Sequence, residues 1–131
     1  MKDRVVIVAA SRTPIGAMQG SLSSLQGHEL GSVAIRAALA QSKLAPEQID
    51  EVLMGCVLPA GQGQAPARQA AMNAGLPPAT GATTLNKVCG SGMKAAMLAH
   101  DLLLAGSQDI VLAGGMESMS NAPYLLTRAR G

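Results

Sequence analysis

The chain has no tryptophan and no phenylalanine, and Tyr124 is the single aromatic among its 131 residues. One aromatic side chain cannot form a base-stacking platform. Charge is sparse as well: 14% of residues are Asp, Glu, Lys or Arg, and the formal net charge is +2. With no basic cluster, that balance excludes a nucleic-acid partner. No apolar run approaches the roughly 20 residues of a membrane span, so no membrane partner is expected. Cysteine is scarce too. Cys56 and Cys89 offer neither a disulfide framework nor metal-ligand spacing, and a reducing cytoplasmic setting is the expected compartment, with a mature organellar protein as the alternative. The start, Met1-Lys2-Asp3-Arg4, leads into six apolar residues, Val5 to Ala10. That run is too short for a signal-peptide core and reads as a strand buried on both faces.

What is present is a small aliphatic vocabulary. Ala, Val, Leu, Ile and eight Met must fill the core of what is, by length, one domain. After Val5–Ala10 comes a glycine-dotted loop through Gly27. Leu30, Val33, Ala34, Ala37 and Ala38 then recur at helical spacing, with Glu29 in the favourable first turn. Val52–Val57 reads as a second apolar strand, carrying Cys56. Pro66–Ala74 reads as a short helix with proline near its start and Gly75 just past its end. Ala82-Thr83-Thr84-Leu85 is a third, β-prone stretch. The segment from about Ser91 to Ala105 is apolar nearly all round, the pattern of a helix buried on every side, and Gly106 stops it. Ile110–Ala113 is a fourth strand. Strands and helices alternate, which predicts an α/β layered fold on a mostly parallel sheet.

Chemistry concentrates at Lys87-Val88-Cys89-Gly90-Ser91-Gly92-Met93, where a strand gives way to a helix. A thiol there faces the positive end of the helix dipole and free backbone N–H groups, which favours the nucleophilic thiolate. Glycines on either side of Ser91 admit a substrate close to the backbone. A small core cysteine is the plain alternative. Gly90-Ser91-Gly92 also has a weak likeness to a dinucleotide phosphate loop. It lacks the third glycine, and Asp109 stands before the next strand instead of after it. Cys56, inside an apolar strand, reads as a core residue. His100 lies 11 residues past Cys89 in the same helix, about 16 Å away, too far to act as its base, and reads as a structural core histidine. His28 reads as a surface or capping residue, Arg12 as a loop anchor, and Glu117 as a loop residue with a structural hydrogen-bonding role.

Four segments in order resemble the thiolase family. They are Ser11-Arg12-Thr13-Pro14-Ile15-Gly16, Ala60 to Ala70, Asn86 to Lys94, and Gly114-Gly115-Met116-Glu117-Ser118-Met119-Ser120-Asn121-Ala122-Pro123. Within the family the likeness is to acetyl-CoA acetyltransferases. The resemblance implies a thiolase-like layered α/β fold, of which this chain holds the N-terminal half. The sheet is then mixed and mostly parallel, with helices on both faces. Residues 1–118 are then the half-domain without its last strand, and residues 119–131 the start of a loop domain. The missing fifth strand belongs between the strands at Ile110–Ala113 and Val5–Ala10. A second half then covers the outer face of the Ser91–Ala105 helix.

The resemblance also implies an activity. Two acetyl-CoA condense to acetoacetyl-CoA, or the reverse thiolysis runs, with Cys89 carrying the acyl group. Coenzyme A thioesters are the substrates, and no separate cofactor or metal is implied. The activating His, a water-holding Asn and a second Cys lie in the second half, so the chain alone is expected to be inactive. The alternatives are a 3-ketoacyl-CoA thiolase of fatty-acid degradation and a non-catalytic fragment. The resemblance implies a homo-oligomer as well, paired through the strand near Ala82–Lys87.

Overall fold

The computed structural model describes residues 5–130; residues 1–4 and Gly131 lie outside the description. Helix α1 spans Gly27–Ser42, strand β1 Glu51–Gly55, helix α2 Pro66–Asn73, strand β2 Gly81–Leu85, helix α3 Ser91–Ala105 and strand β3 Val111–Gly115. The strands lie in the order β2-β1-β3, and both pairings are parallel. The sheet among the described residues is therefore wholly parallel.

The two-residue period of a strand sorts the core into layers. Val52 and Met54 of β1 point toward α1 and α2, together with Ile35, Leu39, Ala67, Ala70 and Ala71. Leu53, between them, points the other way and packs with Ala95 and Ala99 of α3. Val52 is fully buried and Met54 is 2% exposed; removing such side chains from water contributes about 1.5–3 kcal/mol each. Helices thus cover both faces of the sheet, in agreement with the expected class.

Small residues let these layers close up. Gly31 of α1 lies against Met116 and Ala70, where an added Cβ would meet the Met116 sulfur at 2.8 Å. The buried stripe of α1 is accordingly Gly31, Ile35 and Leu39 with Ser32, while Val33 is 44% exposed. The spacing of Leu30, Val33, Ala34, Ala37 and Ala38 correctly indicated a helix, but the stripe that packs lies beside them: Leu30, Ala34 and Ala38 are half-buried, and Val33 and Ala37 are exposed. Periodicity alone cannot tell an apolar stripe that packs from one beside it.

Two further expectations are corrected. Val5–Ala10 is not a strand in this structure. Val6, Ile7 and Val8 are 69%, 88% and 62% exposed. A strand exists only through its ladder, and β1, β2 and β3 pair with one another and leave this run without a partner. It is tethered instead where Ala10 N–H donates to Gln41 Oε1 at 3.1 Å and the Ser11 hydroxyl donates to Ala34 O at 2.7 Å. Helix α3 is not buried on every side. Ala95 and Ala99 meet the sheet, but Met93 and Met97 are 74% and 51% exposed, because no described residue covers that face. His100 lies on the open side, 3.5 Å from Asp101, and is not a core residue.

Candidate active site at the carboxyl ends of the strands

In a parallel sheet all strands end at one edge, and the loops leaving that edge form the usual site of an open α/β fold. The register sets Gly55 opposite both Leu85 and Gly115, so β1, β2 and β3 stop level. Cys56 N–H donates to Leu85 O and Met116 N–H to Gly55 O, each at 2.9 Å, which carries the alignment one residue further. Beyond that line the chain diverges into the segments 56–65, 86–90 and 116–122.

The segment 86–90 turns β2 into α3 within five residues. Val88 takes φ +47°, the left-handed region, where a β-branched residue is strained. Side chains hold it there. Val88 N–H donates to Asn86 Oδ1 at 2.8 Å, and the Ser91 hydroxyl donates to Val88 O at 2.6 Å. The same hydroxyl, on a residue 5% exposed, accepts from Lys87 N–H at 2.8 Å. The next residue, Cys89, is a free, exposed cysteine immediately before the N-cap Gly90 of α3. The junction expected from sequence is in place, and the core-cysteine alternative does not fit an exposed thiol.

Glycine at 55 seats this turn. A Cβ there would stand 2.6 Å from Ser91 Cβ and 2.9 Å from Gly92 N, so the first turn of α3 rests directly on the end of β1. An added Cβ at Gly92 would in turn stand 3.6 Å from Gly115 N, in ordinary contact. Close backbone packing thus requires glycine at 55, whereas an added Cβ at Gly90 would meet nothing nearer than Lys87 O at 3.4 Å.

The neighbouring strand end is organised by Glu117. Its carboxylate accepts from Val57 N–H at 2.9 Å and Leu58 N–H at 3.0 Å, tying the exit of β3 to the exit of β1. The structural role expected for Glu117 is therefore real, although its target was not legible. Cys56 is buried, as expected, with Glu117 Oε1 3.8 Å from its sulfur and Gln62 Nε2 at 3.5 Å. Burial pushes the Cys56 thiol above its ordinary range, and the nearby Glu117 charge adds to the effect. Gln62 Oε1 accepts from His28 N–H at 3.1 Å and lies 3.3 Å from its Nδ1, so His28 belongs to this buttress at the start of α1. Arg12 reaches the Thr13 carbonyl, its immediate neighbour. Among the described residues no side chain hydrogen-bonds the Cys89 thiol. A groove of about 370 Å³ runs beside Glu117, between Thr13–Met18 and Ser118–Ser120.

Residues 5–131 match the family model described as "Thiolase, N-terminal domain". The chain belongs to the thiolase family. It is 56% identical over 126 residues to the mitochondrial acetyl-CoA acetyltransferase of Danio rerio, covering 96% of this chain and 30% of that protein. The human protein of the same name is 56% identical over 124 residues, covering 95% of this chain and 29% of its own length. Among solved structures, the Acat5 thiolase of Ascaris suum in complex with coenzyme A superposes with a TM-score of 0.91 at 41% identity, over 93% of this chain and 32% of that one. This thiolase chain thus spans about 30% of the length of the curated relatives it matches. The mitochondrial names of these relatives overturn the cytoplasmic expectation. That expectation rested on cysteine usage, and unpaired cysteines report only a reducing or disulfide-poor setting, not an address.

The sequence reading missed the Asn86 and Ser91 bonds around Val88. A signal was available: an Asn two residues before a constrained amide is a turn-forming pattern.

Proposed function

We propose that this thiolase segment supplies the acyl-accepting half of an acyl-CoA acyltransferase, with Cys89 as the nucleophile and acetyl-CoA as the substrate. One observation carries the proposal: the free thiol of Cys89 stands exposed at the start of α3, on a turn held in a strained conformation by two side chains. The names of the relatives support the substrate class.

The chemistry follows from sulfur. The Cys89 thiolate attacks the carbonyl carbon of an acyl-CoA, the tetrahedral oxyanion collapses, and the CoA thiolate leaves. The product is a second thioester, so the carbonyl stays activated for attack by the next carbon or sulfur nucleophile. A serine at the same place would trap the group as a less reactive oxyester. Backbone N–H groups at the helix start, that of Cys89 included, suit stabilisation of the oxyanion. Attack on acetyl-Cys89 by the α-carbon of a second acetyl-CoA, as a base removes its α-proton, gives acetoacetyl-CoA and releases the Cys89 thiolate. In thiolysis the Cys89 thiolate attacks the 3-keto carbonyl of a 3-ketoacyl-CoA and the C2–C3 bond breaks. The acetyl-CoA enolate takes a proton and leaves, and CoA then takes the acyl group from Cys89.

Condensation also needs a base to take the α-proton and donors around the enolate. No described residue hydrogen-bonds Cys89 in such a role, and His28 and His100 have other neighbours. The 131 residues alone therefore show no turnover in either direction. Residues 1–118 form the half-domain, and 119–131 open the loop domain. The free outer edge of β2 pairs two copies of the whole protein.

The experiment is acetyl labelling. In a polypeptide carrying both thiolase halves, acetyl-CoA labels Cys89, Cys89→Ser abolishes acyl transfer, and Cys56→Ser keeps most of it. Acetate recovered on Cys56 instead would end the assignment.

A further inference from the structure

We infer that Asn86 and Glu117 are positioning residues for Cys89, joined into one relay through the peptide unit between Val57 and Leu58. The inference rests on Cys89 being the nucleophile and adds the question of what holds it.

The relay crosses the sheet edge from β3 to β2 by way of the strand between them. At one end Glu117 Oε1 accepts from Leu58 N–H at 3.0 Å, while Oε2 accepts from Val57 N–H at 2.9 Å. The Leu58 N–H and the Val57 carbonyl belong to one peptide. An N–H that donates to a carboxylate makes the carbonyl of its own peptide a better acceptor, since hydrogen bonds in a chain polarise one another. That carbonyl accepts from Asn86 Nδ2 at 3.3 Å. The opposite end of the same amide, Asn86 Oδ1, accepts from Val88 N–H at 2.8 Å. Val88 stands at φ +47° directly before Cys89.

Each link has a reason to be where it is. A valine leaves the left-handed region unless its surroundings hold it. Ser91 holds the Val88 carbonyl from the helix side, and Asn86 holds the Val88 N–H from the strand side. Ser91 is fixed by its seat on Gly55. Asn86 is exposed, so its own orientation is fixed only by what its amide grips, and one grip is the peptide that Glu117 has already immobilised. An unheld Asn86 turns to solvent, Val88 relaxes, and Cys89 shifts against the helix start.

The test is single-turnover acetylation of Cys89 in a polypeptide carrying both thiolase halves, with rates normalised to the titratable Cys89 thiol. Asn86→Ala is expected to lower the rate constant at saturating acetyl-CoA about tenfold and to leave the half-saturating concentration unchanged, because the reacting atom moves while the substrate contacts do not. Asn86→Ser, whose hydroxyl can still accept from the amide two residues on, is expected to recover part of that loss. Glu117→Gln is expected to slow the parent about threefold and to have no further effect on Asn86→Ser, which lacks the donor to Val57. A purely structural role would reduce the folded fraction and leave the normalised rate constant unchanged. Parental rates in both Asn86 variants would overturn the inference, as would Glu117→Gln slowing Asn86→Ser by the same factor as the parent. Failure of the underlying reading is distinguishable, because acetate would then be absent from Cys89 in the parent itself. Should Asn86→Ala fail to fold, Asn86→Ser and Glu117→Gln carry the test.

Discussion

Replacing Gly55 by alanine is the sharpest probe of how the strand end seats the turn that carries Cys89. The new Cβ would lie 2.6 Å from Ser91 Cβ, 2.7 Å from Ser91 C and 2.9 Å from Gly92 N. Carbon atoms rest at about 3.5–4.0 Å, so the first turn of α3 must retreat by about 1 Å. Two of the three obstructing atoms are backbone, and no rotamer change relieves them. Overpacking of this kind costs about 1–3 kcal/mol. Ser91 also carries the bonds to Val88 O and Lys87 N, and straining two hydrogen bonds adds about 1 kcal/mol. The expected loss is therefore about 3 kcal/mol, a fall in Tm of about 12 °C at about 4 °C per kcal/mol. Thermal unfolding followed by far-UV circular dichroism, at one fixed protein concentration, measures it. The control is Gly90→Ala. Its added Cβ would meet nothing nearer than Lys87 O at 3.4 Å, and φ there is −90°, so a shift of under 2 °C is expected. A Gly55→Ala variant melting within 3 °C of the parent would refute the claim that α3 is seated on the β1 backbone.

Asp50 gives a pH dependence. Its carboxylate accepts from Ile110 N–H and Asp109 N–H, which holds its pKa below the ordinary 3.8. The folded state thus favours the charged form. The stabilisation is present above the unfolded value and is lost as pH falls through the folded one, so Asp50→Asn should flatten the acid limb of a stability profile below about pH 4. An unchanged acid limb would remove Asp50 from that role. Cys56, with its thiol pushed upward by burial, should resist iodoacetamide at pH 8 while Cys89 is alkylated; equal labelling in peptide mass spectra would contradict the geometry. Because the folded state keeps the Cys56 proton longer than the unfolded chain does, stability should decline above about pH 9, and Cys56→Ala should soften that decline. The isolated 131 residues should associate at micromolar concentration through the β2 edge and the apolar surface of Val6, Ile7, Val8, Met93 and Met97, and sedimentation of a monodisperse monomer would count against this.

The sequence by itself determined the elements whose stability is local. Pro66 and Gly75 frame α2, Gly106 stops α3, and the alternation of short apolar runs with helical stretches announces a parallel α/β sheet. It also put Cys89 at the start of a helix, because a strand, a glycine-flanked thiol and a helix follow one another along the chain. Tertiary structure decided what depends on partners distant in sequence. Whether Val5–Ala10 is a strand depends on a neighbour for its ladder, and whether α3 is buried depends on a second layer; apolar content is the same either way. Which stripe of α1 packs was settled by Met116 and Ala70 approaching Gly31. The relay from Glu117 through Val57 and Asn86 to Val88 joins residues up to 60 positions apart, by single hydrogen bonds that leave no periodic trace in the sequence. Local geometry is encoded in short windows, whereas the position of the Cys89 thiol is fixed by contacts that exist only once the sheet has brought its strand ends level.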